Sequence, residues 1–294
     1  MSGAPAAGGH GVEVAQGERF RFGDNWRAFL GSLDEGRIRA AERSLAERLG
    51  LARLDGRSFL DIGCGSGLFS LAARRLGARV RSFDFDPQSV ACCAELRRRY
   101  FPDDAAWVIE EGSALDAAWL ASLGAFDVVY SWGVLHHTGD LRRALALAAE
   151  RVAPGGLLFV AVYNDQGGAS RRWLAVKRLY NALPGPLRPP LVAAIAGWYE
   201  ARHLAARLVG GGAAQERGRG MSRWHDWVDW VGGLPFEVAR PEEVILPLQA
   251  AGFALVNIAT VGAGWGCNEY VLRRLGQAAA DSPGPPRSPF AQGG

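Results

Sequence analysis

Lysine is nearly missing from this chain. Of the 33 basic residues among its 294, 32 are arginine and Lys177 alone is lysine. Lysine-based chemistry is therefore confined to one position, which helical spacing sets among arginines on an expected solvated face. Long apolar runs are missing too: no stretch reaches the ~18 uninterrupted apolar residues of a membrane span. The four cysteines, Cys64, Cys92, Cys93 and Cys267, form no C-x-x-C pair and no zinc-ligand set. Reduced thiols, no metal site and a cytoplasmic protein are the expectation. A net charge of +3, with 49% hydrophobic and 21% charged residues, excludes a wholly disordered chain and a coiled coil. Residues 1–17 lack both a basic n-region and an apolar h-region, which argues against a secretory leader. That Gly/Ala-rich segment and the Pro/Gly/Ser-rich residues 276–294 are expected to be disordered.

What is present has a rhythm. Apolar helical spacing runs through residues 18–55. Short apolar runs then alternate with helices. The expected strands are Ser58–Ile62, Arg79–Asp84, Trp107–Glu110, Phe126–Ser131 and Leu157–Tyr163. Helices are expected at Leu68–Leu76, Pro87–Tyr100 and Leu141–Arg151, the last ending before a Pro154-Gly155-Gly156 turn. After Tyr163 the rhythm breaks: residues 164–240 hold two helix-like stretches (169–182 and 190–209) and a tryptophan cluster. Helix Pro241–Ala251 and strands Ala254–Val261 and Glu269–Arg273 close the pattern. Strands alternating with helices imply an α/β fold, a doubly wound and mostly parallel sheet over 18–275, with 164–240 as a helical insert after strand five.

The chemistry concentrates at strand ends. Asp61-Ile62-Gly63-Cys64-Gly65-Ser66-Gly67 joins a strand to a helix, where glycines permit a sharp turn and close backbone approach to a ligand. Asp84 ends the next strand, where doubly wound folds place the acidic residue that accepts hydrogen bonds from a ribose. Asp86, directly before Pro87, suits a helix N-cap instead.

Phe59–Gly67 resembles motif I of the class I S-adenosylmethionine-dependent methyltransferases. Ser82–Pro87 resembles their acidic ribose motif, Phe126–His137 their fourth-strand motif, and Arg151–Leu158 the turn before strand five. Gln249–Phe253 is similar to the ending of their last helix, and Phe22–Trp26 to an N-terminal element some members carry. The closest flavour is the ubiquinone-biosynthesis-like, general small-molecule group. The resemblance implies a seven-stranded sheet with S-adenosylmethionine as cofactor. Gly63, Cys64, Gly65 and Gly67 would pass beneath its methionine part and Asp61 would sit near its amino group. Asp84 and Phe85 would meet the ribose side, and Ser113 and Ala114 the adenine. Ser113 departs from the pattern, standing where an acidic residue is usual, with Glu111 and Asp116 nearby. Ser131 and Trp132 complete the expected cofactor set.

Methyl transfer needs the acceptor aligned and, for a hydroxyl, a proton removed. His136 and His137 at the fourth-strand exit are the candidate bases, His137 ahead, because a histidine pKa near ~6.5 suits that work. Tyr163 and Asn164 lie at the fifth strand's end; with Trp26, Trp224 and His225 they are the candidate acceptor-binding residues. The tryptophans also read as the core of a helical lid. The insert carries eleven basic and six acidic residues, net +5. Arg171, Arg172, Lys177 and Arg178 are expected opposite Trp173, Leu179 and Leu183. The expected function is methyl transfer to a small-molecule oxygen, with the insert supplying substrate contacts and contacts in a homodimer. Transfer to nitrogen, sulfur or carbon, an RNA methyltransferase using the basic insert, and a non-catalytic cofactor-binding protein are the alternatives. No extended basic tail or RNA-binding module favours nucleic acid.

Overall fold

The computed structural model describes residues 9–16, 19–20, 30–31, 33–210, 223–262, 264 and 266–276, without the side chains of 15, 203–210, 223–226 and 229. Seven strands form one sheet: β1 (Ser58–Ile62), β2 (Arg79–Asp84), β3 (Trp107–Glu111), β4 (Phe126–Trp132), β5 (Val152–Tyr163), β6 (Phe253–Ala259) and β7 (Cys267–Arg274). Their order is β3-β2-β1-β4-β5-β7-β6. The first five are parallel, and β7 runs antiparallel to both β5 and β6. β1 and the central part of β5 are buried nearly throughout, as strands covered on both faces must be. The order reverses between β1 and β4, so their carboxyl ends open the crevice where ligands bind in such sheets.

Helices α1 (Gly9–Ala15), α2 (Glu35–Leu49), α3 (Leu68–Arg75), α4 (Pro87–Tyr100), α5 (Ala117–Ser122) and α6 (Leu141–Glu150) precede the insert. One face of the sheet buries Phe59, Tyr130 and Phe159 with α2 to α4. The other buries Leu60, Val129 and Leu158 with α6 and α10 (Pro241–Ala250). Alternation along each strand produces this division, since successive side chains leave on opposite faces. Asp86 caps α4 as expected, its carboxylate accepting from the Gln88 N–H at 2.9 Å.

The insert contains α7 (Gly168–Ala182), α8 (Arg188–Gly210) and α9 (Arg223–Gly232). It has its own core of Trp173, Tyr180, Val192, Trp227 and Val231. The chain leaves the sheet at Tyr163 and returns beside it, the Ala239 N–H donating to the Tyr163 carbonyl at 2.9 Å. The insert is thus closed at its base, over the carboxyl edge of β4 and β5.

Three expectations need correction. Gly9–Ala15 is helical although it falls in a segment read as disordered; packing against Phe85 outweighs its composition. Pro154–Gly156 is a bulge inside β5 rather than a turn before it, and the register with β4 shifts between Phe126 and Val128. Lys177 is fully buried, while Leu179 is 51% exposed. The buried residues of α7 are Ser170, Trp173, Lys177 and Tyr180, one stripe at helical spacing, with the ammonium inside it. Arg171, Arg172 and Arg178 do face solvent. The tail from 277 lies outside the described residues.

Candidate active site

The glycine turn builds a cradle at the β1 carboxyl end. Gly63 has φ 75°, and a Cβ there would overlap the Val134 side chain. The Gly63 and Cys64 N–H groups donate to the Phe83 carbonyl at 2.8 and 3.0 Å, lashing the turn to β2. The Gly65 N–H donates to Asp84 Oδ2 at 2.9 Å, and the Asp86 N–H to Asp84 Oδ1 at 2.9 Å. Asp84 therefore has one amide on each carboxylate oxygen, which fixes its plane and leaves further lone pairs to accept from a ligand. Asp61, 2% exposed, accepts from the Ser70 hydroxyl, which also meets Ser82.

These two carboxylates suit a cationic ligand. Burial raises Asp61 to about 7, with Asp84 as a like-charge neighbour. Burial also raises Asp84 to about 6, against the hydrogen bonds it accepts. A buried acid beside a half-buried one loses less by ionising when a cation arrives. A sulfonium with an ammonium group is such a cation, so the donor set fits S-adenosylmethionine. Because both acids bind protons in the free protein below their raised values, cofactor binding must release protons there. Affinity should fall at least about tenfold between pH 7.5 and 5.5, and calorimetry in buffers of different ionisation enthalpy should show proton release. Constant affinity across that range would mean that the carboxylates do not face the cation.

The adenine side is only partly as expected. Ala114 is buried after β3, and the Ser113 hydroxyl accepts from the Leu115 N–H at 3.2 Å. Asp116 caps α5 through the Trp119 N–H, and Glu111 is exposed, so neither replaces the usual acid. Two expected cofactor residues direct their polar groups elsewhere. The Ser131 hydroxyl donates to the Ile62 carbonyl at 3.0 Å, tying β4 to β1. The Trp132 indole donates to Glu269 on β7 at 3.0 Å. Phe85 is covered by the N-terminal segment: the His10 ring meets it edge-on at 5.6 Å, and the Arg19 guanidinium sits 4.8 Å above it.

The two histidines are held in opposite ways. They occupy a 3₁₀ turn, Leu135–His137, directly after β4, and both are buried. His136 Nδ1 accepts from the Tyr163 N–H at 3.4 Å, which places its proton on Nε2. His137 Nδ1 lies 2.5 Å from the Pro235 carbonyl, which can only accept. Nδ1 of His137 therefore carries the proton and Nε2 is its basic nitrogen. Burial first, then the positive charge of Lys177, push His137 down to about 3, with Arg19 acting in the same direction. Tyr163 lies against His136, ring centroids 3.9 Å apart and planes tilted by 41°, and meets His137 edge-on at 5.5 Å. Asn164 is engaged on both side-chain atoms, donating to the Gly262 carbonyl and accepting from Asn268. It joins the β5 exit to the β6–β7 connection rather than presenting its amide to a ligand.

Beside Tyr163 lies a narrow crevice of about 10 Å³, partly open to solvent, walled by Trp173, Trp230 and Phe236. Trp26 and the side chains of Trp224 and His225 lie outside the described residues. Arg19 and Lys177, absent from the expected site, lie against it: Arg19 donates to the His137 carbonyl at 3.0 Å while paired with Glu13, and Lys177 stands behind Phe236 and Tyr163. Counting the phase of Lys177 against Trp173 and Tyr180 could have found the lysine. Nothing in the Gly-rich N-terminal composition could have found Arg19. Among the described residues no group of acids, histidines and cysteines could hold a metal ion, and no helix is long and apolar enough to cross a membrane.

A sheet of this order, with an acid at the β2 end and a glycine turn after β1, defines a class I nucleotide-cofactor fold. The profile of a family described as a methyltransferase domain matches residues 33–256, and the chain belongs to that family. It thus carries a class I S-adenosylmethionine-dependent methyltransferase domain. It is 35% identical over 133 residues to the ubiquinone biosynthesis O-methyltransferase of Caulobacter vibrioides, covering 42% of this chain and 49% of that protein. It is 33% identical over 132 residues to the Escherichia coli protein of the same description, covering 44% and 50%. The chain thus spans about half the length of these curated relatives. In fold it is similar to the magnesium protoporphyrin IX methyltransferase of Synechocystis, with a TM-score of 0.54, 13% identity, and 90% and 99% of the two chains covered.

Proposed function

We propose that the protein methylates an oxygen of a small molecule held between the β4–β5 edge and the insert. The observation that carries the reading is the tautomer of His137. Its Nδ1–H is fixed on the Pro235 carbonyl, which makes Nε2 the basic nitrogen of a ring at the β4 exit. His136, held in the other tautomer under Tyr163, orients the turn and has no role as a base. The relatives' descriptions as O-methyltransferases support an oxygen acceptor.

Bound S-adenosylmethionine supplies an electrophilic methyl group. This chain's part is to hold the cofactor's cationic portion with Asp61 and its ribose with Asp84, and to position the acceptor against the aromatic wall. His137 Nε2 receives the hydroxyl proton as the oxygen is methylated. A neutral imidazole is what that step requires, and His137 is neutral throughout the physiological range because its pKa is about 3. Burial is the larger cause of the depressed base; the nearby cations, which come second, lower the acceptor's own pKa as well and so favour its loss of a proton.

His137→Ala should lower kcat by about 10²–10⁴-fold. The native enzyme should show no inflection near pH ~6.5 from this residue. Full turnover in the variant, or a limb near ~6.5 that vanishes with His137, would sink this assignment.

A further inference from the structure

The stretch that returns from the insert grips the histidine turn at three points. The Pro235 carbonyl accepts from His137 Nδ1 at 2.5 Å. The Glu237 N–H donates to the His136 carbonyl at 3.0 Å. The Glu237 carboxylate then reaches past the turn, its two oxygens accepting from the Leu141 N–H at 3.1 and 3.0 Å. Leu141 is the first residue of α6, and that helix already has a local cap: Asp140 accepts from the Arg143 N–H at 3.1 Å. Glu237 is a second carboxylate on the same helix end, supplied from 96 residues along the chain. Such an end has several N–H groups to share and favours negative charge. Burial raises the Glu237 pKa, the Leu141 and Gly139 amides act against it, and Asp140 is a like-charged neighbour. The side chain lines a cavity of about 200 Å³, partly open to solvent, so apolar packing is not its task. What it does is fasten the 235–237 backbone beyond the turn. Pro235 has no N–H of its own with which to anchor that stretch. A neutral imidazole can carry its proton on either nitrogen, and the partner of one nitrogen decides which. The Pro235 carbonyl keeps the proton on Nδ1 only while it stays in place.

We infer that Glu237 is a positioning residue for His137: by anchoring the returning stretch on the start of α6, it keeps the Pro235 carbonyl on Nδ1 and so keeps Nε2 the basic nitrogen. The inference rests on the reading of His137 as the base and deepens it. Glu237 acts through the histidine ring.

The test is nitrogen NMR of protein carrying isotope-labelled histidine, saturated with S-adenosylhomocysteine at neutral pH, where His137 is uncharged. The His137 ring signals are those missing in His137→Ala. In the native protein Nδ1 should give the signal of a protonated nitrogen and Nε2 that of a bare one. In Glu237→Ala the two signals should move toward each other as the tautomers mix. Glu237→Gln, whose amide oxygen can still accept from the Leu141 N–H, should keep the native pattern. Asp140 still caps α6 in both variants, and thermal melts run alongside the spectra. A native pattern in Glu237→Ala overturns the inference, and a lower melting temperature with that pattern is what a purely structural cap would give. Tautomer mixing in Glu237→Gln as large as in the alanine variant overturns it too. Full turnover in His137→Ala removes the base, and the spectra still decide whether Glu237 holds the ring. A native ring protonated on Nε2 overturns both readings.

Discussion

Asp84→Ala should weaken S-adenosylmethionine binding by at least about 100-fold, with the fold intact. Two effects add. The ribose loses a charged acceptor, and hydrogen bonds to charged groups contribute about 1.5–3 kcal/mol. The Gly65 and Asp86 amides lose the oxygens that align them at 2.9 Å each. The first effect alone approaches a hundredfold at about 1.4 kcal/mol per decade. Asp84→Asn separates the two, since its amide oxygen can still accept from one of these N–H groups. It should bind more weakly than native and better than the alanine variant. The sign for stability is opposite. Burial raises Asp84 from 3.8 to about 6 in the folded protein, so its contribution is fully present below the unfolded value and is lost as pH rises through about 6. The cofactor-free asparagine variant should therefore gain in melting temperature relative to native as pH rises from 4 to 7. Calorimetric titration and thermal melts check both. Native-like affinity in Asp84→Ala would remove this residue from the cofactor site.

Gly63→Ala should be nearly as damaging, for a different reason. The backbone there has φ 75°, which costs an L-residue about 1–2 kcal/mol. The new methyl would also overlap Val134, and overpacking typically costs about 1–3 kcal/mol. Together they should lower stability by about 3 kcal/mol and displace the turn that carries the Gly65 amide to Asp84. Val134→Ala in the same chain should relieve the overlap with the two Val134 methyls but not the tight contact with its Cβ or the conformational cost, so the double variant should regain at most about half the lost stability. Urea unfolding of the two single variants and the double measures this directly. Full recovery in the double variant would mean that the left-handed backbone costs nothing there.

The sheet was legible because each of its signals is local. Strand Ser58–Ile62, the glycine turn, the cap Asp86-Pro87 and helix Pro87–Tyr100 each declare themselves within a few residues, and the structure places them within a residue or two of expectation. The Pro154–Gly156 segment was misread because a bulge and a turn use the same residues; only pairing with β4 decides between them. The burial of Lys177 runs against its charge, which ordinarily marks an exposed position. Its phase with Trp173 and Tyr180 places it inward, where a backbone carbonyl and two aromatic rings receive the ammonium. Ser131, Trp132 and Asn164 stand at the right strand ends, but their polar groups are bonded to other strands and loops, which no motif spacing reveals. The covering of Phe85 by His10 and Arg19 is a long-range contact from a segment with no apolar pattern of its own.

The central claim, a methyl group passed to a small-molecule oxygen in the site under the insert, is most directly tested by following label from methyl-tritiated S-adenosylmethionine. The native protein is supplied in parallel with phenols, aliphatic alcohols, amines, thiols and RNA. The account predicts transfer to the oxygen of a phenol or an alcohol, reduced in His137→Ala. Label appearing only in amines, thiols or RNA would contradict it.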